Sequence, residues 1–147
     1  LEVLRANLAS HLCRKEERLD AELSSNIVTS YGVALRELLA LSGPLDADSL
    51  RSAHSNLAGL RNGKAGEFRS GGVRAGLSNF PKASEVPALV DHFCRNLVVA
   101  MAKAEASAAA KAAWALYWFT AIHPFGDGNG RLGCIIANWV LRQCGIP

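Results

Sequence analysis

Nine consecutive residues, His-Pro-Phe-Gly-Asp-Gly-Asn-Gly-Arg at 123–131, bring together side chains suited to phosphate chemistry. The imidazole of His123 titrates near neutral pH and can take a proton from an attacking hydroxyl. The carboxylate of Asp127 is a hard oxygen ligand, suited to a Mg²⁺ ion that shares phosphate oxygens. Asn129 can donate hydrogen bonds to charge developing on a phosphate, and Arg131 can pair with it bidentately. The segment therefore predicts an anion-binding turn that carries its own base.

Two apolar segments that favour helices must position this turn. Residues 104–122 are rich in alanine and aromatic side chains and predict a buried helix that ends at the turn. Pro124 cannot continue that helix, and the three glycines of the turn permit backbone angles closed to other residues, so N–H groups can turn inward. From Leu132 onward apolar residues recur at helical spacing, until Gly145 and Pro147 supply a stop. The turn would then lie at a helix N-terminus, where N–H groups and the dipole favour a phosphate.

Two other binding motifs fit this segment less well. Residues 128–133 match G-x-G-x-x-G, but that pattern indicates dinucleotide binding only after a strand, and a predicted helix precedes it here. The turn also lacks the oxygen ladder and closing Glu of an EF-hand, since Arg131 falls at a ligand position. Taken singly, a His at a helix end is more often structural than catalytic, and Asp-Gly-Asn-Gly is a common turn composition. Only the combination of residues indicates chemistry.

The segment resembles the signature of Fic-domain proteins, H-x-F-x-[DE]-G-N-G-R-x-x-R, at every position but the last, where Cys134 stands. Members of that family mostly transfer AMP from ATP to a Ser, Thr or Tyr hydroxyl of another protein and release pyrophosphate. A minority transfer other phosphate-containing groups. The resemblance implies that His123 is the general base, that Asp127 holds Mg²⁺ and that Arg131 contacts the phosphates. It also implies an anion hole formed by Gly128, Asn129 and Gly130.

A second stretch resembles the Fic flap, which pairs with an extended segment of the target protein and lies over the nucleotide. Turn residues at 61–66 and β-compatible residues between glycines over 67–80 predict a short hairpin, with a mobile surface loop as the alternative from composition alone. The resemblance implies that the target protein docks on this hairpin by backbone pairing. It assigns nucleotide contacts to four flap residues, Val73, Arg74, Ala75 and Gly76.

Two positions depart from the family pattern. Autoinhibited relatives carry [ST]-x-x-x-E-[GN] on a helix, and its Glu clamps the second Arg of the signature; here the Glu position would be Val28, and the Arg position is Cys134. The missing Glu implies constitutive transfer and poor removal of the modification. The missing Arg implies weaker binding of the ATP γ-phosphate, by roughly 1.5–3 kcal/mol or about ten- to a hundredfold in affinity. ATP would then bind weakly, or the donor would be a different nucleotide or phosphate-containing group.

The 147 residues, half of them hydrophobic, suit a single Fic-like domain over 1–147, in which 1–30 form an N-terminal helix and a degenerate inhibitory segment. The net charge of +3 is mild and interspersed, and indicates neither a nucleic acid nor a membrane as partner. No signal peptide is visible and the uncharged run 112–122 is too short to span a bilayer, so the cytoplasm is the default expectation. The oligomeric state is left open. The cysteines form no C-x-x-C pair or zinc spacing and are expected to be reduced: Cys13, Cys94, Cys134 and Cys144.

The predicted fold is all-α, a Fic-type helical bundle of about six or seven helices with a small β-hairpin flap. Besides the two helices around the turn, apolar spacing predicts helices over 1–23, over 33–39 after the capping residues Ser24-Ser25-Asn26, from 46 or 48 to about 60, and from 84 to 101. The histidines outside the signature are expected to be surface or packing residues: His11, His54 and His92.

The expected function is a protein nucleotidyltransferase that uses ATP and Mg²⁺ and is not autoinhibited. Two alternatives remain open from the sequence. The first is transfer from a different donor, which Cys134 suggests. The second is a catalytically silent domain that binds nucleotide or partner proteins, against which the presence of His123, Asp127 and Asn129 argues, because a pure binder has little need for a base.

Overall fold

A computed structural model describes residues 21–74 and 78–146, with side chains from residue 25 onward. These residues form five α-helices, α1 (Ala21–Leu39), α2 (Ala47–Ser55), α3 (Val86–Ala102), α4 (Ala108–Ile122) and α5 (Asn129–Gln143), with one 3₁₀ turn, Ala83–Glu85, before α3. The predicted all-α class is confirmed, but the count of six or seven helices is not. The helix expected over 1–23 lies mostly outside the described residues. None of the described helices is both long and apolar enough to cross a bilayer.

Helix α5 lies at the centre of the fold, packed against both α4 and α1. Its inward face is a run of buried apolar residues at helical spacing: Leu132, Ile135, Ile136, Trp139 and Val140. Each such side chain stabilises the fold by about 1.5–3 kcal/mol when fully buried. At Gly133 a Cβ would lie 2.9 Å from Leu116, so α4 and α5 approach closely. Because residues 123–128 alone join these two helices, their packing fixes both ends of the turn.

Helix α1 runs without interruption through Ser24-Ser25-Asn26, the stretch that we predicted would separate two helices. Ser and Asn side chains compete for backbone hydrogen bonds and so weaken a helix. However, Ile27, Ala34 and Leu38 repeat along one face of α1 and are buried. Packing of that face outweighs the local preference, and the predicted break is wrong. The predicted end of the helix before Gly43-Pro44 is confirmed.

Side-chain caps set where two helices begin. Asp46 caps α2 in a reciprocal capping box with Ser49, which confirms the predicted start, although the helix ends at Ser55 and not near residue 60. Ser107 caps α4, and its Oγ accepts a first-turn N–H at 3.2 Å. Helix α4 therefore begins at Ala108 and not at residue 104. The Ser107 side chain supplies the Ala110 N–H with the acceptor that an earlier helical turn would otherwise provide.

The connection between α2 and α3, residues 56–82, contains turns, bends and one isolated bridge residue, Ser78. The predicted hairpin is not confirmed, because the described residues on either side of 75–77 form no strand ladder. At least one backbone donor of the connection is used elsewhere: the Arg69 N–H donates to the Pro124 carbonyl at 2.9 Å. The connection is thus attached to the turn between α4 and α5.

The described cysteines are free thiols that differ in burial. Cys94 lies in the core, where burial raises the pKa of its thiol to about 12. Cys134 and Cys144 are half-buried on α5 and at its C-terminal end, and Cys13 lies outside the described residues. A neutral buried thiol behaves as a small apolar side chain, so Cys94 fits the expected reduced core cysteine.

Candidate active site

Phe125 anchors the turn between α4 and α5. Its ring is fully buried, stacks on the His54 imidazole with centroids 3.8 Å apart, and contacts Phe68 and Phe119. The Phe125 N–H donates to Oδ1 of Asn129 at 2.9 Å, and Nδ2 of Asn129 donates to the Phe125 carbonyl at 2.8 Å. Asn129 is 2% exposed. Its side chain therefore closes the turn, and its contribution to the predicted anion hole reduces to the backbone N–H.

The three glycines of the turn serve different purposes. Of the three, only Gly128 has a positive φ, 77°, as the N-cap of α5. At Gly126 a Cβ would lie 2.9 Å from the Asn62 carbonyl oxygen, whereas at Gly130 it would meet nothing within 4 Å. We expected all three to supply unusual backbone angles, but Gly126 is needed because the turn lies directly against the connection.

His123 ends α4 in the left-handed conformation, with φ 52° and ψ 59°, which is uncommon for a residue with a side chain. Its Nδ1 lies 3.2 Å from the Thr120 carbonyl oxygen. Since a carbonyl can only accept, Nδ1 carries the proton, and the neutral ring keeps its lone pair on Nε2. Burial and the Arg69 charge lower the pKa of His123, opposed by Thr120 and Asp127. A neutral imidazole with Nε2 available is the state that a general base requires.

Asp127 is held by backbone N–H groups. Its Oδ2 accepts from the Arg61 N–H at 2.8 Å, and its Oδ1 accepts from the Gly128 N–H at 2.6 Å. Each oxygen has further lone pairs, so the carboxylate can still ligate a cation. The described residues contain no group of three His, Cys, Asp or Glu side chains that could hold a metal. A metal ion at Asp127 would take its other ligands from phosphates and water, as Mg²⁺ commonly does, so this residue fits the expected ion.

The first turn of α5 supplies the N–H groups of the predicted phosphate site. The first N–H groups of a helix have no acceptor within that helix, and the dipole favours an anion there. The Leu132 N–H already bonds to the Gly128 carbonyl at 2.9 Å, so the site is limited to the residues before it. Gly130 is exposed on this turn. Arg131 donates to the Ala58 carbonyl and so ties α5 to the connection.

His54 links the turn to the connection, a role that sequence reasoning missed. It is 1% exposed; Nδ1 accepts from the Gly66 N–H at 2.9 Å, and Nε2 donates to the Asp127 carbonyl oxygen at 3.0 Å. Burial lowers the pKa of this imidazole, in keeping with a neutral ring whose proton is on Nε2. The one sequence signal for burial was the helical spacing that it shares with Leu50 and Leu57.

Arg69 is the second residue that sequence reasoning left without a separate role. It is 7% exposed, and its guanidinium donates to backbone carbonyls at the end of α4 and on both sides of residues 72–80. Burial lowers the pKa of the guanidinium. The partners of Arg69 on α4 are distant in sequence, so no local pattern could have identified them.

Residues 71–81, called the flap from here on, are linked to His123 near both ends: Arg69 bonds to the carbonyls of both Gly71 and His123, and Phe80 contacts the imidazole. The Phe80 ring lies over the imidazole with centroids 4.1 Å apart. Val73 is half-buried and Arg74 is exposed. The other two predicted flap contacts lie outside the described residues: Ala75 and Gly76. The nucleotide contacts expected of these four residues stay a prediction.

Val28 and Cys134 occupy the positions that depart from the signature. Val28 lies exposed on α1, and Cys134 lies half-buried on α5. Burial raises the pKa of the Cys134 thiol, so that side chain is neutral. It cannot offer a phosphate the charge that an Arg would carry.

A family profile and a known protein match parts of this sequence. Residues 44–141 match the sequence profile of the Fic/DOC family. A Fido domain-containing protein of Dictyostelium discoideum is 60% identical over 38 residues, which are 26% of this chain and 27% of that protein.

Solved structures share the fold. A Fic domain containing signaling protein from Bacteroides thetaiotaomicron has a TM-score of 0.73 at 22% identity, covering 92% of this chain and 56% of that one. A Fic family protein from Desulfovibrio desulfuricans has a TM-score of 0.67 at 24% identity, covering 92% and 42%. Fic-1 from C. elegans has a TM-score of 0.66 at 22% identity, covering 87% and 39%. This chain therefore spans little more than half, or less, of the length of these relatives. The profile match over most of the chain shows that it belongs to the Fic/DOC family.

Proposed function

We propose that this chain is a protein nucleotidyltransferase that moves AMP from ATP to a Ser, Thr or Tyr hydroxyl of a target protein. The observation that carries the proposal is the single turn 123–128, which places the His123 imidazole, with its Nδ1 directed at the Thr120 carbonyl, just before the N-terminus of α5. Family membership supports a transfer reaction of this class.

The geometry suggests a role for each group of the turn. His123 Nε2 accepts the proton of the target hydroxyl as its oxygen bonds to the α-phosphorus, and the bond from that phosphorus to the bridging oxygen of pyrophosphate breaks. The first-turn N–H groups of α5 bind phosphate oxygens as charge develops on them, and the Arg131 guanidinium pairs with the phosphates. Mg²⁺ held by Asp127 would neutralise part of the phosphate charge.

The identity of the donor depends on Cys134. An Arg at this position would add a charged contact to the phosphates, and a neutral thiol supplies none. We therefore expect weak affinity for ATP, and a different nucleotide or phosphate-containing donor is the second candidate. Val28 and Cys134 support transfer without autoinhibition, because neither the carboxylate nor the guanidinium of the inhibitory clamp is present at these positions.

The target protein is proposed to dock on the flap. Phe80, near the end of the flap, contacts the His123 imidazole, and Arg69 links the first carbonyl of the flap to the His123 carbonyl. An extended target segment that pairs with the flap backbone would present its hydroxyl to His123 without a strict sequence requirement. Val73, Arg74, Ala75 and Gly76 would then cover the nucleotide.

Autolabelling tests the proposal without a known target. The purified chain is incubated with each of four α-labelled nucleoside triphosphates and Mg²⁺, beside His123→Ala and the control His92→Ala. His92 is exposed on α3, outside the turn. We expect label from ATP in the parent chain and in His92→Ala, and no label in His123→Ala, which should still bind nucleotide. Equal labelling by His123→Ala would refute the role of the base.

Two other outcomes separate the alternatives. Label from a nucleotide other than ATP, with the same dependence on His123, would identify a different donor. Nucleotide binding without label from any donor, with or without added cell extract as a source of targets, would favour the silent binding domain. Calorimetry with each nucleotide supplies the binding measurement.

A further inference from the structure

Arg69 is a buried cation whose side chain bonds to backbone carbonyls. Its side chain makes four hydrogen bonds, each to a carbonyl oxygen, and Arg69 as a residue is 7% exposed. Burying a charge is unfavourable unless its donors are satisfied. A guanidinium so placed fixes the relative positions of the segments that supply the carbonyls.

Two of these carbonyls belong to the end of α4. Nε of Arg69 donates to the His123 carbonyl at 2.7 Å, and Nη2 lies 3.4 Å from the Ile122 carbonyl. The C-terminal carbonyls of a helix lack partners within it and carry the negative end of the dipole, so a cation is favourable there. The His123 residue that supplies this carbonyl has the left-handed conformation, with φ 52°.

The other two carbonyls are the first and last of the flap. Nη1 donates to the Gly71 carbonyl at 3.0 Å, and Nη2 donates to the Pro81 carbonyl at 2.7 Å. A guanidinium is planar and its donors are fixed relative to one another. One rigid group therefore sets the distance between the two ends of the flap and their distance from His123.

We propose that Arg69 is a positioning residue that fixes the two ends of the flap, at Gly71 and Pro81, relative to the His123 imidazole and so sets where a target segment that docks beside them meets the base. The statement about target presentation rests on the proposed function. The attachment of the flap to His123 does not rest on the proposed function, and it is tested separately.

The first test is NMR of the imidazole of His123 in the chain without nucleotide. The Phe80 ring lies 4.1 Å from this imidazole, so its ring current shifts the imidazole protons. With four histidines in the chain, His123→Ala assigns the signal by its loss, and Phe80→Leu gives its position when the ring current is absent. Spectra are recorded above the titration range of imidazole, so protonation does not contribute.

The decisive variant is Arg69→Lys, which keeps the charge but has a flexible stem and a compact head that cannot reach four carbonyls in a fixed plane. We expect its His123 signal to move at least halfway toward the Phe80→Leu position. The control is Arg51→Lys: Arg51 donates to the Gly66 carbonyl at 2.8 Å from the exposed side of α2, outside the flap. A parent-like His123 signal in folded Arg69→Lys overturns the proposal.

The second test separates positioning from general stability by rate and affinity. Misplacing reacting groups by about 1 Å can cost about a hundredfold in rate. We expect autolabelling by Arg69→Lys at saturating nucleotide to fall at least about tenfold. Because saturation removes the effect of Kd, any weaker binding caused by loosening the flap over the nucleotide does not contribute to this loss. A loss confined to Kd, with the saturated rate unchanged, overturns the positioning role. If the parent chain shows no transfer, the proposed function fails, and the NMR result alone decides the attachment.

Discussion

Replacing Asn129 with alanine tests whether that side chain gives the turn its shape. The substitution removes two hydrogen bonds and leaves the buried N–H and carbonyl of Phe125 without their side-chain partners. An unpaired buried polar group costs about 1–3 kcal/mol, so the pair should cost about 2–4 kcal/mol after the turn relaxes. In a domain of this size, a loss of about 3 kcal/mol lowers Tm by roughly 6–12 °C.

Urea unfolding followed by circular dichroism measures this loss against a matched control, Asn138→Ala. Asn138 lies on the same helix and donates to the Tyr31 hydroxyl at 2.7 Å and to the Cys134 carbonyl at 3.0 Å. The hydroxyl can rotate to another partner and the carbonyl lies within a helix, so this variant should lose only about 1 kcal/mol. Surface substitutions typically change stability by up to about 0.5 kcal/mol. If Asn129→Ala and Asn138→Ala lose the same stability within that margin, the reasoning is refuted.

An isosteric variant adds a pH-dependent test. In Asn129→Asp the side chain can still accept from the Phe125 N–H but, when ionised, has no donor for the Phe125 carbonyl. Facing that carbonyl in a buried site, the carboxyl should have a folded-state pKa above its unfolded value. The folded state then binds more protons, so the stability deficit relative to the parent should shrink as pH falls through the raised pKa. A deficit that does not change with pH would contradict this account.

Cys134→Arg should tighten ATP binding by about ten- to a hundredfold, because it adds a charged contact to the phosphates; equal affinities by calorimetry would argue against it. The transfer rate should already be at its high-pH plateau at neutral pH, because burial lowers the pKa of His123. A rate that begins to fall on acidification while the pH is still above the ordinary pKa range of imidazole would contradict this expectation. Gly126→Ala should destabilise the fold by about 1–3 kcal/mol in urea unfolding, because the new Cβ would lie 2.9 Å from the Asn62 carbonyl oxygen. Gly130→Ala, with nothing within 4 Å, should change stability by no more than about 1 kcal/mol, and equal losses in the two variants would disprove the close-approach argument.

Local patterns were reliable where one segment decides its own structure. The cap at Asp46 and the proline and glycines around the turn were read correctly as helix boundaries. The same reasoning failed at Ser24-Ser25-Asn26, where burial of one face of α1 outweighs the preference of those residues to end a helix. The hairpin predicted over 67–80 is not confirmed by the described residues, and the Arg69 N–H in that stretch bonds to Pro124 in another segment.

The sequence by itself determined the all-α class, the family and the chemical groups of the site, because residues 123–131 carry them in one continuous run. Only the tertiary structure decided how those groups are held. His54 bonds to Asp127, 73 residues away, and Arg69 bonds to His123, 54 residues away. Such contacts leave no local signal, since they depend on which backbone groups packing leaves without partners, and only the folded chain brings the donors to them.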